Sequence, residues 1–339
     1  MESNVVTRAG GPEVFELREM PIPEPGPEEV LVRVCACGVN PVDCKIRRGV
    51  VGGPHVYPLV LGYDVSGIVE AVGARVTGFH PGDAVFYCSP INMPGAYAEY
   101  HKVDHRLVAP KPKNLSHREA ASIPLVGLTV WESLFDRAGI RIGETILVHG
   151  GSGGTGSMGI QLAHWAGLTV VTTTRRENES FVRRLGADHV IDYREVDFVE
   201  GVRSLTRGRG ADVVFDTVGG QTLARSFEAL SQNGRVVSIV ETEEPISLMP
   251  LFMLNASFHY EFMALEMNVG RGFERKRTIL LYLSKLLEDG TIRPVVQRTF
   301  SLAEAAAAHE WLETAHVQGK IVLVVDQGED RRDSRETGL

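Results

Sequence analysis

The sequence contains only four cysteines, and their positions argue against a disulfide framework. They are Cys35, Cys37, Cys44 and Cys88; no CxxC pair occurs, and three of the four fall within ten residues. Thiols spaced in this way indicate a protein of a reducing compartment. Because the first twenty residues also carry charges throughout, we expect no signal peptide and a cytoplasmic location.

The chain also lacks a long apolar run and a strongly basic segment. No stretch is apolar over the ~20 residues that a membrane-spanning helix needs, so we expect no membrane span. The formal net charge is −8, and we do not expect nucleic-acid binding as the main task of such a chain. Its 339 residues, of which 43% are hydrophobic and 23% charged, predict a soluble globular protein of two domains.

Two patterns divide the chain. Residues 1–124 contain short segments rich in Val and Ile between Gly and Pro signals, which predicts a β-rich domain. Residues 125–263 alternate apolar strands with helices, which predicts βαβ units around a parallel sheet. Residues 264–326 contain two helices and two strands, and we expect them to return to the first domain. Residues 327–339 are almost wholly polar, and we expect them to be disordered.

Individual elements can be predicted within these regions. Capping boxes, in which a Ser is followed three residues later by a Glu, indicate helix starts at Ser116 and at Ser301. A further amphipathic helix is predicted over residues 272–289, and closing strands over 295–300 and 320–325. The strands of the parallel sheet are predicted at residues 145–149, 168–173, 189–191, 213–215, 235–240 and 258–263.

The strongest chemical signal is the glycine turn, residues 150–156, which follows the first of these parallel strands and opens a helix. Gly151, Gly153 and Gly156 satisfy the pattern G-x-G-x-x-G. The first glycine permits a tight turn, the second lets the backbone approach a pyrophosphate, and the third permits close packing of helix on strand. Gly154 and Thr155 then present helix N-terminal N–H groups to the anion. This context predicts a dinucleotide site, and hence an NAD(P)-dependent oxidoreductase.

The residues after the second parallel strand bear on which nicotinamide is bound. An NAD site usually has an Asp or Glu there, but this chain continues as Thr174-Arg175-Arg176. An arginine can pair with a 2′-phosphate through its planar guanidinium group, so we favour NADPH. The alternative is that Arg175 and Arg176 are solvated charges at a helix start. Because Glu177 follows them, NADH remains an alternative cofactor.

Six stretches together resemble one family. They are CGVNPVDCKIRRG (37–49), LGYDVSGIVEAVG (61–73), GGSGGTGSMGIQLA (150–163), RRLGADHVIDY (183–193), DVVFDTVGG (212–220) and HVQGKIVLVV (316–325). The family is the zinc-independent medium-chain dehydrogenases/reductases, in their quinone oxidoreductase (zeta-crystallin-like) branch. The resemblance implies an α/β protein with a β-rich GroES-like catalytic domain and a Rossmann cofactor domain built on a doubly wound parallel sheet. It also implies a homodimer paired through the outer strand at 258–263, and the alternative is an edge that is covered within one chain.

The resemblance bears on zinc as well. Zinc enzymes of this superfamily have Cys where this chain has Asn40, His-Glu where it has Tyr63-Asp64, and a third Cys near Leu125. Asn, Tyr and Leu cannot supply the three ligands of a catalytic zinc, and His101 with His105 lie in a strand-and-loop context that does not place them on one face. Without a Lewis acid, reduction suits small electrophilic acceptors that take hydride readily, such as quinones or α,β-unsaturated carbonyl compounds.

The resemblance assigns catalytic roles to Asn40 and Tyr63. Asn40 stands where relatives place an amide beside the nicotinamide ribose and the substrate carbonyl, and the Tyr63 hydroxyl is a candidate donor to a developing oxyanion. The alternatives are structural: Asn40 caps the NPVD turn, and Tyr63 is an aromatic wall. Asp43 and Asp64 are expected to tie down local backbone or a basic side chain.

Further cofactor contacts are implied by the same resemblance. Thr129 matches a hydroxyl near the nicotinamide, Tyr193 a residue near the adenosine phosphate, and Val240 a backbone support of the carboxamide. Lys320 matches a lysine that approaches the cofactor phosphates or the cleft, and its alternative is a surface charge at a strand start. The expected cofactor-binding residues are Asn40, Thr129, Gly153, Gly154, Thr155, Thr174, Arg175, Tyr193, Asp216, Gly219, Val240 and Lys320.

The leading hypothesis from the sequence is therefore an NADPH-dependent quinone or enone reductase. A second is a regulatory or structural protein that has kept an NADPH site without useful turnover, because a fold does not fix a function. A third is a carbonyl or alcohol dehydrogenase that works without these zinc ligands.

Overall fold

The computed structural model describes residues 1–51 and 55–325, so the disorder expected at 327–339 lies outside the described residues. The chain divides into two compact units. The first unit contains Met1–Leu125 and the chain from Ala264 onwards, and the second unit is Val126–Met263. In the described part of the chain, no helix is long and apolar enough to cross a bilayer.

The described residues form sixteen strands and eleven α-helices. The strands are β1 (Glu2–Val6), β2 (Phe15–Glu19), β3 (Glu29–Val39), β4 (Leu59–Val60), β5 (Asp64–Val72), β6 (Ala84–Cys88), β7 (Tyr100–Asp104), β8 (Ala109–Pro110), β9 (Thr145–Val148), β10 (Thr169–Thr174), β11 (His189–Asp192), β12 (Ala211–Asp216), β13 (Leu230–Ser238), β14 (Ser257–Tyr260), β15 (Val296–Ser301) and β16 (Lys320–Val324).

The helices begin and end as follows. They are α1 (Pro41–Arg47), α2 (His117–Ala120), α3 (Pro124–Trp131), α4 (Gly154–Trp165), α5 (Glu179–Arg184), α6 (Phe198–Leu205), α7 (Gly220–Ser226), α8 (Met249–Leu254), α9 (Ala264–Asn268), α10 (Phe273–Glu288) and α11 (Ala305–Thr314). Both predicted capping boxes are confirmed. The carboxylate of Glu119 accepts from the N–H of Ser116, and that of Glu304 accepts from the N–H of Ser301.

The first unit is organised around a seven-stranded sheet in the order β15-β16-β3-β5-β6-β8, with β7 also paired to β3. The remaining strands of the first unit form a smaller sheet in the order β2-β1-β4. β3 is long and almost wholly buried, and Cys35 and Cys37 are fully buried on it, as expected of small core residues. β16 pairs antiparallel with β3 so that Ile321 stands opposite Val39, and this register places Lys320 beside Asn40.

The second unit is a six-stranded sheet in the order β11-β10-β9-β12-β13-β14, and all five pairings are parallel. Numbered within the unit, this is the order 3-2-1-4-5-6 of a doubly wound dinucleotide-binding sheet. Together with the β-rich first unit, it confirms the predicted fold class. Ligands of such sheets bind at the carboxyl ends of the strands, where the strand order reverses, here between β9 and β12.

Two strands of the second unit, β13 and β14, end earlier than the sequence prediction. β13 already begins at Leu230 and stops at Ser238, so Val240 lies beyond the strand rather than at its end. β14 stops at Tyr260 instead of continuing to residue 263. The N–H of Glu261 still bonds to the carbonyl of Ser238, but β13 ends there and offers the next residues no strand partner.

Candidate functional site

The glycine turn has the shape that a pyrophosphate requires. A Cβ on Gly151 would lie 2.0 Å from Oγ1 of Thr172, and one on Gly156 would lie 2.2 Å from the carbonyl oxygen of Gly150, so neither position has room for a side chain. A Cβ on Gly153 would meet nothing nearer than 3.5 Å, which leaves that side of the turn open. α4 begins at Gly154, and the first N–H groups of a helix lack intrahelical partners. These residues fit a dinucleotide phosphate.

The carboxyl end of β10, next to the turn, carries Thr174 and Arg175. Thr174 is buried, and its hydroxyl has no hydrogen-bond partner among the described residues. Nε of Arg175 donates to Oη of the half-exposed Tyr193, 3.0 Å away, whereas the neighbouring Arg176 pairs with Glu195 at 3.5 Å. The described residues offer the Arg175 guanidinium no carboxylate, so its terminal nitrogens can receive a phosphate.

Glu177, the acid that left NADH as an alternative cofactor, forms an ion pair within the protein. Its carboxylate lies 3.5 Å from a guanidinium nitrogen of Arg194. The N–H of Arg176 is bonded to the carboxylate of Asp192, which ends β11. The acids near this end of the sheet are therefore engaged with the protein's own donors.

The carboxyl end of β12 is organised by Asp216. Its fully buried carboxylate accepts from the N–H groups of Val218 and Gly219, both at 3.1 Å, and from the hydroxyl of Ser238 at 2.7 Å. Gly219 has φ +78°, and a Cβ there would lie 2.6 Å from Cγ1 of Val240. Asp216, expected to contact the cofactor, thus directs its carboxylate into the protein and holds this turn in shape. Thr129 is buried within α3.

In the first unit, Asn40 lies between β3 and α1 and is almost fully buried. Its backbone N–H donates to the Asp43 carboxylate, 2.7 Å away, so Asp43 ties down the local backbone as expected. The side-chain amide reaches two other residues. Nδ2 donates to Oδ2 of Asp64 at 2.9 Å, and Oδ1 accepts from the ammonium of Lys320. Asn40, Asp64 and Lys320 are called the Asn40 cluster below.

Lys320 is buried, with 6% of its surface exposed, so the surface-charge alternative was wrong. Besides Asn40, its ammonium donates to the carbonyl of Val39 at 3.3 Å and to Oδ2 of Asp64 at 3.1 Å. The other oxygen of Asp64 accepts from the N–H of Leu125 at 2.5 Å. Asp64 therefore holds both a backbone group and a basic side chain, as expected.

Tyr63 precedes Asp64 and is fully buried. Its hydroxyl has no hydrogen-bond partner among the described residues. Burial, followed by the nearby Asp43 charge, raises the pKa of this phenol far above its ordinary value, so it stays protonated and can only serve as a hydroxyl. A buried hydroxyl without a partner costs folding free energy of about 1–3 kcal/mol, and a ligand oxygen would relieve that cost.

A chain of buried polar groups that the sequence did not reveal ends at Asp43. The guanidinium of Arg47 lies 3.1 Å from Nδ1 of His309, and Nε2 of His309 lies 3.1 Å from Oη of Tyr97. Arginine only donates, and burial lowers the His309 pKa to about 3, so the neutral ring accepts at Nδ1 and donates from Nε2. Tyr97 in turn donates to Asp43 at 3.2 Å.

The geometry of Asp43 itself is unusual. It is fully buried, and Oδ1 has no partner among the described residues. Burial raises its pKa to about 7 against the opposing effects of the Asn40 N–H and Lys320. Only the NPVD context pointed to Asp43 in the sequence; no local motif pointed to His309, which lies in the alanine-rich helix α11.

The histidines that might have suggested a metal pair have other partners. His101 is buried between the hydroxyl of Tyr87 and the carbonyl of Pro94, and Nδ1 of His105 bonds to the carbonyl of Glu28. Over residues 1–51 and 55–325, no three His, Cys, Asp or Glu side chains gather in a way that could hold a metal ion.

Comparison with known proteins identifies the family that shares this architecture. The model of the alcohol dehydrogenase GroES-like domain matches residues 26–113, and the zinc-binding dehydrogenase model matches residues 185–323. The quinone oxidoreductase of Sus scrofa is 34% identical over 323 residues, which are 94% of this chain and 96% of that protein. The chain belongs to the quinone oxidoreductase family. It carries the NAD(P)-binding fold of these medium-chain oxidoreductases.

Solved structures agree with membership of the quinone oxidoreductase family. An alcohol dehydrogenase superfamily protein from Novosphingobium aromaticivorans superposes with a TM-score of 0.91 at 36% identity, covering 96% of this chain and 100% of that one. The Escherichia coli quinone oxidoreductase, solved in complex with NADPH, superposes with a TM-score of 0.87 at 30% identity, with the same coverage.

Proposed function

We propose that the protein is a cytoplasmic, NADPH-dependent oxidoreductase that reduces a quinone or an α,β-unsaturated carbonyl compound without a catalytic zinc. The observation that carries the proposal is the Asn40 cluster. At positions where zinc enzymes have metal ligands, this chain has an amide held by a buried ammonium and a buried carboxylate. The names of its relatives support the same class of reaction.

The preference for NADPH is supported by Arg175. Its guanidinium is held at Nε by Tyr193 and stands at the carboxyl end of β10, where the adenosine ribose of a dinucleotide lies in doubly wound sheets. Its terminal nitrogens can then form a paired, charge-assisted contact with a 2′-phosphate. The glycine turn, Thr174 and the turn after β12 would hold the rest of the cofactor.

The chain's own residues then serve the acceptor. Bound NADPH supplies a hydride, which is two electrons and a proton, to an electron-poor carbon of the acceptor. Asn40 and Tyr63 would donate hydrogen bonds to the acceptor oxygen as it gains negative charge, because each keeps a buried donor with no partner among the described residues. A quinone or enone spreads that charge by conjugation, so it needs less help than a simple ketone, which favours these acceptors in a site without a Lewis acid.

The experiment that defines the acceptor is a panel of para-quinones, alkenals and enones, with simple ketones, aldehydes and alcohols as comparison compounds. We expect oxidation of NADPH by conjugated acceptors and little turnover of the simple compounds. Activity confined to alcohols or simple ketones would contradict the proposed acceptor class. NADPH binding without turnover of any compound would favour a regulatory or structural protein instead.

We also propose a homodimer that pairs through the outer strand β14. This strand lies at the edge of the second-unit sheet, and the segment around it exposes large apolar side chains, among them Phe252 (79%) and Met253 (71%). An open edge beside exposed apolar surface commonly marks an interface. Light scattering should give the dimer mass for the wild type and a lower mass for Phe252→Glu/Met253→Glu, with Tyr282→Glu, on α10, as the control.

A further inference from the structure

Asn40 has a hydrogen-bonding capacity that its contacts within the protein do not exhaust. A side-chain amide offers two N–H donors and an oxygen that accepts. Oδ1 accepts from Lys320, and one N–H of Nδ2 donates to Asp64. The second N–H of Nδ2 has no acceptor among the described residues, although only 1% of the surface of Asn40 is exposed.

The orientation of this amide is forced by its two charged neighbours. Lysine ammonium groups only donate and ionised carboxylates only accept. A flipped amide would turn its NH₂ group towards Lys320 and its oxygen towards Asp64, so that both contacts would become repulsive. Asn40 therefore presents a donor, and not an acceptor, to anything that approaches it.

Lys320 has no hydrogen-bond donor left for a ligand. Its three N–H groups are matched by three acceptors, namely the carbonyl of Val39, Oδ1 of Asn40 and Oδ2 of Asp64. The sequence resemblance implies a lysine that approaches the cofactor phosphates or the cleft. In this geometry, any effect of Lys320 on chemistry passes through the amide it holds.

We propose that Lys320 and Asp64 are positioning residues, which fix the orientation of the Asn40 amide so that its remaining N–H donates to the oxygen of the acceptor. The inference rests on the proposed function and adds the group that stabilises the reduced acceptor. Hydride from bound NADPH would add to the electron-poor carbon, the π-bond pair of the acceptor would move onto the conjugated oxygen, and the remaining N–H of Asn40 would bond to that oxygen until water protonates it. The ammonium on Oδ1 draws electron density from the amide nitrogen and makes this N–H a stronger donor.

The test uses para-nitrophenolate as a stand-in for the oxyanion, so that it does not depend on turnover. Full-length protein saturated with NADP⁺ is titrated with the probe, and binding of its ionised form is followed by absorbance. We expect Asn40→Ala to weaken phenolate binding on the order of 10- to 100-fold and Lys320→Met to weaken it about 10-fold. NADPH affinity of Lys320→Met should stay within about twofold of wild type, because the ammonium has no N–H left for a phosphate.

A double-mutant cycle separates positioning from an independent role. If Lys320 acts through Asn40, Asn40→Ala/Lys320→Met binds phenolate no more weakly than Asn40→Ala alone. Additive losses would overturn the proposal, and so would a Lys320→Met protein that loses NADPH affinity but keeps phenolate affinity. A wild type that binds phenolate no better than Asn40→Ala would also overturn it.

Two further variants control for folding. Lys320→Met leaves the Asp64 carboxylate buried without its cation, whereas Asp64→Asn/Lys320→Met removes both charges together and should show the same loss of phenolate binding. Lys102→Met removes a lysine paired with Glu29 elsewhere in the first unit and should behave as wild type.

Phenolate binding that depends on Asn40 in a protein inactive on every acceptor would keep this inference and reject the proposed function. If Asn40→Ala left turnover unaffected, this inference would be rejected and the proposed function would be kept.

Discussion

The ammonium of Lys320 donates a hydrogen bond to the side-chain oxygen of Asn40, although the two residues lie 280 positions apart in the chain. The antiparallel pairing of β16 with β3 brings them together, and Asp64 completes the cluster from the neighbouring strand β5. Three segments far apart in sequence thus determine how one amide is presented.

Arg175 should select NADPH over NADH. We expect Arg175→Ala to weaken NADPH binding on the order of 10- to 100-fold, because a charge-assisted pair with the 2′-phosphate is lost, and to leave NADH binding almost unchanged. Arg176→Ala is the matched control, since that arginine already pairs with Glu195. Fluorescence titration of both cofactors decides the matter; equal losses for NADPH and NADH would mean that Arg175 only supports the fold.

Two glycines of the turn should respond differently to the same change. Gly153→Ala places its methyl group on the open side of the turn, so we expect normal folding but weaker NADPH binding. Gly156→Ala drives its methyl group into the Gly150 carbonyl, so we expect a lower free energy of unfolding, by about 1–3 kcal/mol. Urea unfolding and NADPH titration of both variants test the pair. Loss of stability without loss of affinity in Gly153→Ala would contradict the assigned geometry.

The hydroxyl of Tyr63 should matter for turnover and not for folding. Tyr63→Phe removes a buried hydroxyl that has no partner among the described residues, so we expect the free energy of unfolding to rise by about 1–3 kcal/mol. If the hydroxyl assists the acceptor oxygen, kcat falls by about 10-fold or more. Unchanged kcat with raised stability would identify Tyr63 as an aromatic wall.

Asp43 should make stability depend on pH. Its folded pKa of about 7 lies above the ordinary 3.8, so the folded state holds a proton that the unfolded chain has released. The stabilising contribution is therefore full below about pH 4 and is lost as the pH rises through about 7. Burial is the main cause of the raised pKa of Asp43, and the Asn40 N–H, the charges of Lys320 and Asp64 and the Tyr97 hydroxyl modify it.

Asp43→Asn should remove that dependence. Relative to wild type, we expect the variant to gain stability between about pH 4 and pH 8, on the order of 1.4 kcal/mol for each unit by which the pKa is raised. Urea unfolding across this range measures the difference, with Asp83→Asn, at a surface turn, as the control. A constant difference at all pH values would show that Asp43 is ionised throughout.

The local parts of the fold and site could be predicted from the sequence, because they depend on neighbouring residues. The glycine turn, the capping boxes at Ser116 and Ser301, and the alternation behind the parallel sheet are of this kind. The strand ends at Ser238 and Tyr260 depend on where a partner strand stops. The end of a strand is determined by pairing in the tertiary structure, and the local sequence does not specify it.

The functional cluster was only partly predictable for the same reason. Family resemblance points to Asn40 and Tyr63, but the direction of the Asn40 amide follows from its contacts with Asp64 and Lys320. The local sequence is equally compatible with a surface position for Lys320, and only the tertiary structure shows that it is buried. His309 lies in an alanine-rich helix with no motif around it, and only the tertiary structure joins it to Tyr97 and Asp43.

The most direct test of the central claim is the oxidation of NADPH by a conjugated acceptor with protein that has been treated with a strong chelator and shown to be free of metal. The absorbance of NADPH is followed with a para-quinone or an enone at saturating cofactor. The account predicts the full rate without metal, no gain on adding zinc, and a much higher kcat/KM for NADPH than for NADH. Activity that appears only when zinc is restored would contradict it.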